Sequence, residues 1–132
     1  MLVEIEMMRE LSWSPFPIAR IDTPIGRTAV PWRGAPDAPL GRHRVEWTID
    51  TDITWGLTAK PADETGPAIL AGGHCVILRG HLRLDPDGVG VLDLSGSSIL
   101  LEFDELPPPD VDGTWIQIHV PHKDVHLYPY EL

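Results

Sequence analysis

The sequence has one cysteine, Cys75, and no uninterrupted apolar run of the roughly 18 residues that a helix needs to cross a bilayer. A lone cysteine excludes an internal disulfide and any cysteine-based zinc site, and it agrees with a reducing compartment. The opening Met-Leu-Val-Glu-Ile-Glu carries acids where a signal peptide would carry basic residues followed by an apolar stretch. The expectation is a soluble cytoplasmic protein without a membrane partner. Catalytic signatures are missing too: there is no G-x-S-x-G elbow, P-loop, dinucleotide fingerprint or H-E-x-x-H, so the chain reads as a non-enzyme. Long helices are also in short supply, because 14 prolines and 12 glycines among 132 residues interrupt most windows.

What is present suits one folded unit. Leu, Ile, Val and Phe make up about 28% of the chain, above the roughly 20% below which chains stay disordered. The formal charge is -10 and it is unevenly placed. Residues 1–44 carry six arginines against five acids, whereas residues 45–132 carry four basic groups against fifteen acids. Proline is uneven as well, since Pro15, Pro17, Pro24, Pro31, Pro36 and Pro39 crowd a stretch with no sustained period of 2 or 3.6. The expected organisation is therefore an N-terminal strand and extended proline-rich arm over 1–44, followed by an acidic β-barrel over 45–132.

Strand patterns fill the rest. Val3, Ile5 and Met7 alternate with Glu4 and Glu6, and Arg44–Leu57 is β-branched and aromatic, while 59–73 reads as a loop with at most one helical turn. Residues 74–84 place Val76, Leu78, Gly80, Leu82 and Leu84 on one face. Asp85-Pro86-Asp87-Gly88 supplies a turn, and pairing Leu82 with Leu92 and Leu84 with Gly90 keeps apolar residues together. A second hairpin turns at Gly96-Ser97, pairing Ser95 with Ser98, Leu92 with Leu101 and Gly90 with Phe103. A last hairpin pairs Val120 with Val125, which puts His119 opposite His126, Gln117 opposite Tyr128 and Trp115 opposite Tyr130.

Gly80, the run Leu92-Asp93-Leu94-Ser95-Gly96, and Gly113 before Trp115 make residues 74–132 resemble the oligonucleotide/oligosaccharide-binding (OB) fold. The resemblance implies an all-β, small antiparallel barrel of five to six strands. It departs from the pattern where many OB members carry a helix, because Glu105–Asp112 contains three consecutive prolines. In such a barrel, ligands meet the second and third strands, here Asp93, Leu100 and Glu102. These positions are acidic, which disfavours a polyanion. A nucleic-acid route is left to the arm, where Arg20, Arg27, Arg33, Arg42 and Arg44 are interleaved with Trp32 and Trp47.

The functional expectation is a binding module acting through protein–protein contacts, as an adaptor, inhibitor or immunity-like protein. Its surface would comprise Trp115, Gln117, Tyr128 and Tyr130 with Asp93, Leu100 and Glu102, because clustered exposed aromatics mark binding faces. The acidic balance points to a basic protein partner, or to self-association. An alternative is a metal- or small-ligand-binding barrel, in which His119, His122 and His126 with Asp124 ligate zinc or nickel. Asp50 and Asp52 share a face of one strand, as an acid–base pair would, although an exposed strand face explains them more simply.

Overall fold

The computed structural model describes residues 1–130, so Glu131 and Leu132, the last two residues of the expected barrel, lie outside the described residues. The protein is all-β. Eleven strands form one curled, barrel-like sheet, and the only helical pieces among the described residues are two three-residue 3₁₀ turns. The strands are β1 (Leu2–Arg9), β2 (Ile18–Thr23), β3 (Gly26–Pro31), β4 (Gly41–Ile49), β5 (Ala59–Pro61) and β6 (Ala68–Gly72). Then follow β7 (Cys75–Leu84), β8 (Val89–Leu94), β9 (Ser97–Glu102), β10 (Trp115–Pro121) and β11 (Val125–Pro129). Hydrogen bonding runs in the order β11-β4-β1-β2-β3-β6-β7-β10-β5, with β8 and β9 continuing from β7.

The expectation of five to six purely antiparallel strands is corrected on both counts. Among the described residues there are eleven, and β3 meets β6 in parallel through Gly26 and Ile69. The extended arm is corrected in its middle, where residues 18–31 form the β2–β3 hairpin. The prolines bracket these strands instead of interrupting them. Pro24 sits in the connecting turn, where the Thr23 hydroxyl accepts from the Ile25 amide at 3.1 Å and donates to the Gly26 carbonyl at 2.7 Å. Residues 59–73, read as a loop, contain β5 and β6.

The alternation in β1 holds for Val3 and Ile5, both buried, and then changes phase. Between Ile5 and Met7 the register with β2 slips by one residue, a β-bulge at Glu6, so that Met8 and not Met7 packs on the core. The strand β7 follows its sequence pattern closely: Val76, Leu78, Gly80 and Leu82 are buried. The predicted partners Leu82–Leu92 and Leu84–Gly90 pair as expected across the Asp85–Gly88 turn, in which the Gly88 amide donates to the Asp85 carbonyl at 3.0 Å.

The β8–β9 hairpin turns one residue earlier than expected, at Ser95-Gly96, both with positive φ (49° and 88°). Two consecutive left-handed residues match the strand twist as a type I′ loop does. Leu92 therefore faces Ile99 and Gly90 faces Leu101. This two-residue change of partner preserves every side chain's face, because side chains alternate with period 2. The Phe103 ring still reaches Gly90, where a Cβ would lie 2.7 Å from it.

The last expected hairpin does not form. β10 pairs with β7 and β5, whereas β11 crosses to β4. Pro121 and the 3₁₀ turn His122–Asp124 redirect the chain. His122 fixes that corner, its ring nitrogens lying 2.7 Å from the Ala29 carbonyl and 3.1 Å from the Gly73 carbonyl. Both strands keep their apolar rows inward, with Ile116, Ile118, Val120, Val125 and Leu127 fully buried.

Candidate functional site

The pairing path from β4 through β1, β2, β3, β6, β7 and β8 brings β9 back beside β4. The two strands lie close side by side, and just past the end of β4 the Ile53 amide donates to the Glu102 carbonyl at 2.7 Å and the Asp104 amide donates to the Ile53 carbonyl at 3.1 Å. No ladder links the rest of β4 to β9 among the described residues. The sheet is thus open along one seam.

The directions of the backbone groups follow from these bonds. In an antiparallel strand the amide and carbonyl of one residue point to the same side, and successive residues alternate sides. Since Glu102 and Asp104 address Ile53, Ser98 and Leu100 address the seam too, while Ser97, Ile99 and Leu101 address β8. Along β4, Arg44 and Asp50 bond to β11 through Tyr130 and Asp124, and Val45 bonds to Met1 on the opposite side. Trp47 and Ile49 therefore face the seam. No backbone partner meets Ser98, Leu100, Trp47 or Ile49 on that side among the described residues.

A groove of about 940 Å³ lies over this seam, lined by residues 44–52 with Ser98, Leu100, Glu102 and Tyr130 among others. Its charge is one-sided. Glu46, Asp50, Asp52 and Glu102 stand around it against Arg44, and Glu46, Asp52 and Glu102 have no ion-pair partner among the described residues. Leu100 is 65% exposed and Tyr130 51%, so apolar surface borders the acids. Trp47 also lines the groove; it is only 4% exposed, and its indole N–H has no acceptor among the described residues. A buried donor without a partner is unusual, because desolvation leaves its hydrogen-bonding capacity unmet.

The residues expected to form a binding surface are divided by the β10–β11 separation. Leu100, Glu102 and Tyr130 meet in the groove. Trp115, Asp93 and Gln117 lie on the outer face of β10, β7 and β8, where Trp115 packs edge-on against His81 at 5.5 Å and Gln117 contacts the His119 ring at 3.0 Å. Asp93 receives two hydrogen bonds from Arg83, at 2.9 and 3.1 Å, which hold its carboxyl below the usual carboxylate range. Tyr128 stands opposite Glu46 on β11, beneath Arg33, whose guanidinium lies 5.2 Å from that ring and 3.9 Å from the ring of Phe16. Asp50 and Asp52, first read as a plain strand face, are groove residues. The sequence signal for them was their spacing; nothing local to the sequence announced Trp47 as part of a site.

The expected metal cluster is not assembled. His119 faces Gln117, His122 caps two backbone carbonyls, and His126 is buried with its Nε2 3.9 Å from Asp50. Among the described residues no group of three or more His, Cys, Asp and Glu side chains is arranged to hold a metal ion. Phe16 closes over His126, with ring centroids 6.0 Å apart. Burial first, and Arg33 second, push the His126 pKa below its ordinary value, against the opposing pull of Asp50 and Asp124. Trp32 and Trp47, considered as stacking platforms for a nucleic acid, are both buried, and Arg20 and Arg27 lie within salt-bridge range of Glu6.

No helix among the described residues is long and apolar enough to cross a membrane. Comparisons with protein-family models, with curated proteins and with solved structures found no match in any of the three.

Proposed function

We propose that this chain is a non-enzymatic binding module that docks a basic protein partner in the acidic groove over the β4–β9 seam. The observation that carries this reading is the combination, in one concave surface, of four carboxylates against one arginine with the exposed side chains of Leu100 and Tyr130. Apolar contact supplies affinity at the centre of an interface, while complementary charge selects the partner and speeds encounter. The same carboxylates repel phosphates, which favours protein over nucleic acid. Among the described residues His119, His122 and His126 do not converge as metal ligands, so the geometry lends the metal-binding alternative no support.

Capture from a host lysate, with the full chain immobilised, tests the reading when it is run beside a Leu100→Asp/Tyr130→Ala variant. Both side chains are exposed, so the variant is expected to stay folded. Basic proteins held by the wild type, released by salt and absent from the variant are the expected result. Recovery of the same proteins by both chains would overturn the choice of surface.

A further inference from the structure

Asp50 belongs to the groove and also stands beside a buried histidine. Its amide donates to the Asp124 carbonyl at 2.8 Å, which pins it against the start of β11, and its carboxylate lies 3.9 Å from His126 Nε2. The Asp50 side chain is 73% exposed, so a small rotation closes that gap to a hydrogen bond. His126 is enclosed: its side chain is 8% exposed, Phe16 packs edge-on over it, and Nδ1 has no hydrogen-bond partner among the described residues. Charged groups face it from each element packed around it. They are Asp50 beyond the end of β4, Asp124 from the 3₁₀ turn, and Arg33 from the stretch after β3, which lies over Phe16. Glu46 lies one pair further along β4, across from Tyr128, and Lys123 is paired with Asp124.

Resting on the proposed docking of a basic partner, we infer that protonation of His126 releases that partner by drawing Asp50 out of the groove. A neutral ring tolerates the enclosed site, whereas an imidazolium there needs an anionic partner. Asp124 is engaged by Lys123 through both oxygens at 3.2 Å, so Asp50 is the carboxylate free to turn. Two changes then weaken the groove together. It gives up one of its four carboxylates to an ion pair with β11, and a new positive charge stands behind its wall. A lysine or arginine docked beside Asp50 has the reciprocal effect of opposing proton uptake at His126, because coupling between two binding events is mutual. The partner is held at neutral pH and released in the acid range where histidine titrates, before carboxylates do. Burial and Arg33 both keep the ring neutral until the pH falls below the ordinary histidine value.

Calorimetry with the full chain at pH 7.5 and pH 5.5 tests the release. One probe is a ten-residue peptide that repeats lysine, glycine and leucine; the other carries glutamate in place of lysine. The lysine peptide is expected to bind about fivefold or more tightly at pH 7.5 than at pH 5.5, and the glutamate peptide at neither. In His126→Gln the difference between the two pH values should largely vanish. NMR titration of the His126 ring needs no partner: Asp50→Asn should lower its pKa, because the carboxylate favours the imidazolium. An affinity that does not fall on acidification, or that falls equally in His126→Gln, would overturn the release and leave the acidic docking surface standing. So would a His126 pKa unmoved by Asp50→Asn. No binding of the lysine peptide at pH 7.5, or equal binding of the two peptides, would overturn both.

Discussion

Gly26 is the point at which a single methyl group should do most damage. It has φ +146° and forms the parallel bridge to Ile69, and a Cβ built on it would lie 1.9 Å from the Ile69 carbonyl oxygen. Carbon and carbonyl oxygen normally meet at roughly 3.3 Å, so β3 and β6 would have to separate by more than an ångström in Gly26→Ala. Three losses follow. A residue with a side chain at that φ costs on the order of 1–3 kcal/mol. The 2.9 Å bond from the Ile69 amide to the Ile25 carbonyl would stretch or break, for about 1 kcal/mol. Ile69, now 1% exposed, would lose part of its burial, for roughly 1 kcal/mol more. The expected total is about 3–5 kcal/mol, a large share of the 5–15 kcal/mol typical of domain stability. For a chain of this length it corresponds to a fall of roughly 10–20 °C in Tm. Urea and thermal melts followed by circular dichroism measure it. Gly73→Ala is the control, because Gly73 has φ +72° but open space around its Cβ, so it should lose only about 1–2 kcal/mol. Equal losses in the two variants would refute the close approach of β3 and β6.

Other outcomes are expected from neighbouring features. Because the folded state lowers the pKa of His126, the unfolded chain binds the proton more readily. The contribution to stability is then complete above the ordinary histidine pKa of about 6.5, and it declines as pH falls through that value toward the folded pKa, with a slope of at most about 1.4 kcal/mol per pH unit. Denaturation between pH 7 and 5 should show a shallower decline in His126→Gln; an unchanged slope would contradict this account. Burial is the larger cause of the shift, so Phe16→Ala should raise the His126 pKa by NMR titration more than Arg33→Gln does, and the reverse order would put charge ahead of burial. Adjacent leucines of β9 should differ sharply: Leu101→Ala, at a fully buried site, should lose about 2–5 kcal/mol, whereas Leu100→Ala should stay within about 0.5 kcal/mol in the same chemical melts.

The parts of this fold legible in the sequence are those whose partners lie close along the chain. β7 and β8 declared their faces by strict alternation, and the Asp-Pro-Asp-Gly turn fixed their register. The β8–β9 register was displaced by two because Gly96-Ser97 and Ser95-Gly96 are equally plausible two-residue loops, and period-2 alternation is blind to that choice. β10 and β11 had correct inner rows but wrong partners. Ile116, Ile118 and Val120 are satisfied equally by facing β11 or β7, so only the corner held by His122 through Ala29 and Gly73 decides, and those contacts are far apart in sequence. The arm concealed β2 and β3 because prolines at strand ends look, in one dimension, like prolines that prevent strands. For the site, the sequence places Leu100, Glu102 and Tyr130 in one larger surface with Trp115, Gln117, Tyr128 and Asp93, and it marks Asp50 and Asp52 as a pair. Their meeting in one groove depends on β9 returning to β4 through six intervening strands, a property of the whole sheet and of no local window.

The flanking of β4 by β1 on one side and β11 on the other has a kinetic consequence. β4 acquires β1 from about forty residues upstream, but its second neighbour lies about eighty residues downstream. Contacts of such sequence separation slow folding, because the loop must close before pairing compensates for its lost freedom. On the ribosome, a nascent chain could assemble the β2–β3 hairpin early and β7–β9 later, while Val45 and Trp47 would wait for Val125 and Leu127 to emerge. During that interval β4, with Val45 and Trp47 uncovered, would be a reactive edge, and the slowest refolding phase should report its capture by β11.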